Sequence, residues 1–202
     1  PRGPFMAELL ALLNGKTTDV RVVEEYLDSL EHEDRVGAIR SLGRSQQARL
    51  FEAADGHRAI TLADIVHADR PAMEEVVHHG KNSLPAFNRF AKVFVRPDEG
   101  SLAELWGYNR AGSFIEGVVG PGYFVAYAHG TDEVLVDYLR VPPRRPEHWP
   151  PILPNSARLS RLVYAGTQDV LRGVSRHVSI GRATKGGKPM SAWFVLCRED
   201  PQ

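Results

Sequence analysis

Apolar positions in the first half of the chain recur at helical spacing. Val20, Val23, Leu27 and Leu30 stand at i, i+3, i+7 and i+10, which is one face of a helix. Met6–Leu13 reads as a shorter helix stopped by Asn14-Gly15. Val36, Ile39 and Leu42 mark another that ends at Gly43. Ser45 is placed to cap a further one, with Leu50, Phe51 and Ala54 inward. Thr61 and Asp64 have the spacing of a capping box. Pro71 and the acidic pair Glu74 and Glu75 suit the first turn of a helix that Gly80 closes. Ser83 and Pro85 then open a helix in which Leu84, Phe87, Phe90, Ala91 and Phe94 share a face, with Arg89, Lys92 and Arg96 turned mostly away.

The period changes after Pro97. Leu102–Tyr108, Ser113–Val119, Tyr123–Ala128 and Val134–Val141 alternate in the manner of strands, and short turn-forming segments separate them. Loops this short make the four strands antiparallel neighbours. Residues 142–154 carry six prolines in thirteen positions, a stiff extended segment in which Trp149 is the natural anchor. A last helix is expected from Asn155 or Ser156, with Leu159, Leu162, Val163, Val170, Leu171 and Val174 on one broad face. Val178–Thr184 and Met190–Arg198 then form a hairpin around Lys185-Gly186-Gly187-Lys188.

These elements predict an α+β fold. A helical N-terminal half packs on a curved, mostly antiparallel six-stranded sheet, with the order ββββ-α-ββ in the C-terminal half. One domain over 6–202 is expected, helical over 6–96 and mainly β over 97–202. Residues 1–5 precede Met6 and read as an expression remnant.

Composition narrows the class. The chain has 202 residues, 43% apolar and 25% charged, an ordinary globular balance. No signal peptide or membrane-length apolar run is evident, and the single cysteine, Cys197, suits a reducing compartment, so a cytoplasmic protein is expected. The net charge of zero is unevenly spread: residues 1–80 hold 9 Lys/Arg against 14 Asp/Glu, and residues 140–202 hold 11 against 4. The basic end either favours an anionic ligand or receives the acidic helices of the same fold.

The candidate chemistry is sparse. Glu75 and His78 at i, i+3, and Glu75 and His79 at i, i+4, would share a helix face in the manner of a carboxylate–imidazole metal site. No second copy of the motif exists, and a solvated helix end accounts for the cluster equally well. Glu116 and Asp137 fall inside expected strands, where a charge needs a partner, a cavity or solvent. In a curved sheet they would serve as bases, with His177 as acid partner and Arg182 holding an anion. Tyr123, Tyr138 and Trp106 would line the same pocket. The glycine runs match neither GxGxxG nor a Walker pattern, GxSxG is absent, and no cofactor is implied.

Three functions follow from this reading. The first is a module that binds a small molecule in an aromatic-lined pocket. The second is an acid–base hydrolase or isomerase using that pocket. The third is an interaction or assembly subunit, homo-oligomeric or with another partner, presenting the helical half and the proline-rich segment. Neither a membrane nor nucleic acid is expected as a partner, since the first four strands are neutral to acidic.

Overall fold

The computed structural model describes residues 4–85, 88–99, 103–110, 120–152 and 166–200. Five helices come first: α1 (Pro4–Asn14), α2 (Val20–Asp28), α3 (His32–Arg40), α4 (Arg44–Ala53) and the single turn α5 (Leu62–Ile65). Their starts follow local chemistry. The Asp19 side chain accepts from the Arg21 backbone N–H at 3.1 Å and caps α2. The Thr61 N–H donates to Asp64 Oδ2 at 2.8 Å, which completes the capping box of α5. The apolar stripe read from sequence turns inward, and Val23, Leu27, Ile39 and Leu50 are fully buried.

The stripe packs on the outer wall of a closed barrel. The strands are β1 (Val76–Asn82), β2 (Arg89–Val95), β3 (Glu104–Arg110), β4 (Phe124–His129), β5 (Glu133–Asp137), β6 (Thr167–Gly173), β7 (Val178–Lys185) and β8 (Lys188–Arg198). Each pairs antiparallel with the next, and β8 returns to pair with β1, with Gly80 opposite Leu196. Closure removes both sheet edges. The Gly186-Gly187 turn between β7 and β8 has φ of +56° and +75°, the left-handed pair that a two-residue hairpin needs.

The expected six-stranded sheet with a helical half is therefore corrected to an eight-stranded barrel with short helices against its outer wall. Three segments account for the difference. Val76–Asn82 is a strand, not part of a helix starting near Pro71. Arg89–Val95 is a strand, not an aromatic-faced helix. The stretch holding Val170 and Leu171 is a strand, not the end of a helix. The expected strand 113–119 and the expected helix positions Leu159, Leu162 and Val163 lie outside the described residues.

The β2 segment shows the physical cause. Phe90, Lys92 and Phe94 face the barrel interior, while Val93 and Val95 join an outer cluster with Trp106, Tyr108, Tyr123, Val125 and Trp149. A strand covered on both faces loses its polar alternation and reads as a continuous apolar run. Its one charged member, Lys92, points inward. The outer cover is the proline-rich segment, whose Trp149 lies 4.7 Å from the Tyr108 ring and 6.2 Å from that of Tyr123.

The two ends of the barrel differ. One is filled by Ile60, Ile65 and Val66, which pack on Phe124, Ala126, Val134 and Leu171 inside. Between the ends, inward glycines make room for aromatic rings. A Cβ on Gly181 would stand 2.1 Å from Phe194 Cζ, and one on Gly107 would stand 2.4 Å from Phe124 Cε2. Gly181→Ala is expected to drive the Phe194 ring out of place and destabilise the fold by roughly 1–3 kcal/mol, as overpacking does. Urea unfolding of the variant checks this. An unchanged midpoint would mean that the ring moves freely.

Candidate functional site

A cavity of about 370 Å³ occupies the end of the barrel away from Ile65, within the usual size range of small-molecule sites. Phe90 from β2, Phe194 and Ala192 from β8, and Leu84 and Met190 at the rim give it apolar walls. Its floor is polar. Lys92, Asn109, Tyr138 and Asp169 converge there from β2, β3, the end of β5, and β6.

The alternation of the strands brings these four side chains together. Lys92 lies opposite Asn109 across β2 and β3, and Val136, two residues before Tyr138, lies opposite Asp169 across β5 and β6. Lys92 is 1% exposed and Asp169 is 6% exposed. Lys92 Nζ donates to Asp169 Oδ2 at 3.1 Å, to Asn109 Oδ1 at 3.1 Å and to the Tyr138 hydroxyl. An ammonium has three hydrogens, and here each finds an acceptor. Tyr138 donates onward to Asp169 Oδ2 at 3.1 Å and accepts from Asn109 Nδ2 at 3.0 Å. The Lys92 nitrogen also lies 4.8–5.8 Å from the ring centres of Phe90, Phe124, Tyr138 and Phe194. Burial pushes its pKa below the usual lysine range, and the Asp169 carboxylate opposes that shift.

One atom of this network is left over. The carboxylate of Asp169 uses Oδ2 for both Lys92 and Tyr138, and Oδ1 has no partner among the described residues. Oδ1 is not among the sealed polar atoms either, and Asp169 lines the cavity.

Of the residues singled out from sequence, Tyr138 is in this floor. Trp106 and Tyr123 face outward beneath the proline-rich segment, where Trp106 Nε1 donates to Glu104 at 3.0 Å and the Tyr123 hydroxyl donates to the Pro150 carbonyl. Asp137 is buried on the outer side and accepts from the Tyr127 hydroxyl at 3.0 Å and the Leu139 N–H at 2.9 Å. Arg182 is also on the outer wall, with Nε donating to the Met190 carbonyl at 2.9 Å and its guanidinium 5.3 Å from the Trp193 ring centre. His177 lies in the β6–β7 turn beside Asp200, 3.2 Å away, and burial with the neighbouring Arg35 lowers its pKa to about 4. Glu116 lies outside the described residues.

The weak metal candidates are separated because they lie on and just before a strand rather than on a helix. Glu75 accepts from Trp149, Arg110 and His148 on the outer side. His79 also points outward, 5.6 Å from His32. His78 points into the barrel, 3.0 Å from the Ile65 carbonyl, and burial lowers its pKa to about 3. Among the described residues no group of three or more His, Cys, Asp or Glu side chains is arranged to hold a metal ion.

Sequence reasoning missed Lys92, Asn109 and Asp169. A signal was present for Lys92: in Phe90-Ala91-Lys92-Val93-Phe94, read at period two, the lysine falls in line with two phenylalanines. Part of the basic surplus of the C-terminal third is answered within the fold, through Arg172 with Asp55 and Glu133 and Arg140 with Glu104. Cys197 is buried on the outer wall under the helices, and burial pushes its thiol pKa up to about 11. Among the described residues no helix is long and apolar enough to cross a membrane.

No protein-family model matches the chain, and no curated protein or solved structure shows significant similarity to it.

Proposed function

We propose that the barrel binds a small, largely apolar molecule in its open end, ring systems against Phe90 and Phe194 and a polar group toward Asp169. The observation that carries this reading is a barrel interior filled at one end and hollow at the other, with a buried, hydrogen-bonded polar cluster at the bottom of the hollow. Eight-stranded barrels are wide enough to hold one small ligand when side chains do not fill them. The apolar walls supply affinity through area removed from water, and the few polar groups fix orientation. This site uses neither Asp137 nor His177. The former is occupied on the outer wall, and the latter lies by the filled end.

The uncharged fluorophore prodan tests this. The protein is expected to bind it with a blue shift and enhanced emission. Ala183→Trp, which places an indole in the cavity from β7, should abolish the signal while thermal unfolding stays cooperative. Ala192→Trp, from β8, is the second blocking variant should the first fail to fold. Undiminished prodan binding in a folded blocked variant would place the dye elsewhere and refute the reading.

A further inference from the structure

We infer that the ligand is an uncharged alcohol or phenol whose hydroxyl donates to Asp169 Oδ1, an inference that rests on the cavity being the binding site. The decisive feature is the half-used carboxylate. Asp169 is 6% exposed, its Oδ2 is occupied by Lys92 and Tyr138, and its Oδ1 has no partner among the described residues in a cavity whose walls are mainly apolar. Oδ1 opens into the cavity, so a ligand that fills the cavity covers it, and a covered carboxylate oxygen without a donor is costly unless the ligand itself supplies one.

The surrounding charges select among donors. A carboxylate or phosphate reaching the floor would meet the Asp169 carboxylate, while all three protons of Lys92 are already given to Asp169, Asn109 and Tyr138. An anion therefore finds repulsion there and no spare donor. A ligand ammonium would stand near the Lys92 ammonium, which is 3.1 Å from the other oxygen of the same carboxylate. A neutral hydroxyl donates to Oδ1 without either repulsion. The other floor groups do not compete for it. Asn109 has its oxygen on Lys92 and its amide on Tyr138 and the Gly122 carbonyl.

The test is displacement of prodan at neutral pH by four naphthalene probes of one shape: β-naphthol, its methyl ether, β-naphthoate and naphthylmethylammonium. The naphthol is expected to compete roughly tenfold or more better than each of the others, the range of one hydrogen bond to a charged acceptor. In the double variant Lys92→Met with Asp169→Leu, titrated with naphthol and with the ether by the probes' own fluorescence, the preference for naphthol should be lost, and a preference retained there would overturn the assignment. Prodan binding with the ether or the naphthoate competing as well as the naphthol would overturn the alcohol assignment and leave the cavity reading standing. Absence of any binding of prodan or naphthol would overturn both.

Discussion

Lys92→Met is expected to destabilise the protein by roughly 3–5 kcal/mol, the range for removing one partner of a buried ion pair. The lysine is 1% exposed, and Asp169 is 6% exposed with Tyr138 on the same oxygen. Methionine fills the stem's volume among Phe90, Phe124 and Phe194 but leaves a carboxylate uncompensated in an aromatic interior. At this chain length the loss corresponds to a fall of roughly 6–20 °C in Tm, read by circular dichroism. Adding Asp169→Leu removes the stranded charge, so the double variant should recover most of the loss. A Lys92→Met protein as stable as the wild type would mean that Asp169 does not depend on the lysine for its compensation.

Acid should weaken the fold through His78. The side chain is fully enclosed, its ring nitrogen 3.0 Å from the Ile65 carbonyl, and its pKa is about 3 against 6.5 when free. The unfolded chain therefore takes up a proton that the folded one refuses. Stability is intact above about pH 6.5 and falls as the pH drops from there toward 3. Around pH 5 the loss is about 2 kcal/mol, from about 1.4 kcal/mol for each pH unit below the free value. Glutamine can donate to the Ile65 carbonyl and does not titrate. His78→Gln should accordingly flatten the dependence of unfolding free energy on pH between 6.5 and 5 by about one proton. His177 acts in the same direction but is present in both proteins and cancels from the comparison. Equal slopes in the two proteins would show that His78 is reached by water.

The helices and the last hairpin were legible because their signals are local. Asp19, Thr61 with Asp64, and Gly186-Gly187 each set a conformation within a few residues. The barrel was hidden because its defining contact joins β1 to β8, more than a hundred residues apart, and no local pattern reports such a pairing. The strands mistaken for helices are those buried on both faces or carrying a polar residue inward. In Thr167–Gly173 the inward set is Thr167, Asp169, Leu171 and Gly173, half of it polar, so the apolar stripe that marks a core strand is absent. The candidate site was illegible for the same reason. Its floor is made of the residues that break the pattern, and Lys92 and Asp169 are identifiable as partners only once the barrel brings β2 and β6 to face each other across its interior.

The most direct test of the account is amide chemical-shift mapping of the protein titrated with β-naphthol. Perturbations concentrated at Asn82, Lys92, Thr167, Ala183 and Phe194, which come from five strands and together line the barrel's open end, are the predicted result. Perturbations centred on the outer wall around Trp149 and Tyr108, or on helices α1–α4, would contradict the claim that the hollow of the barrel is where this protein binds.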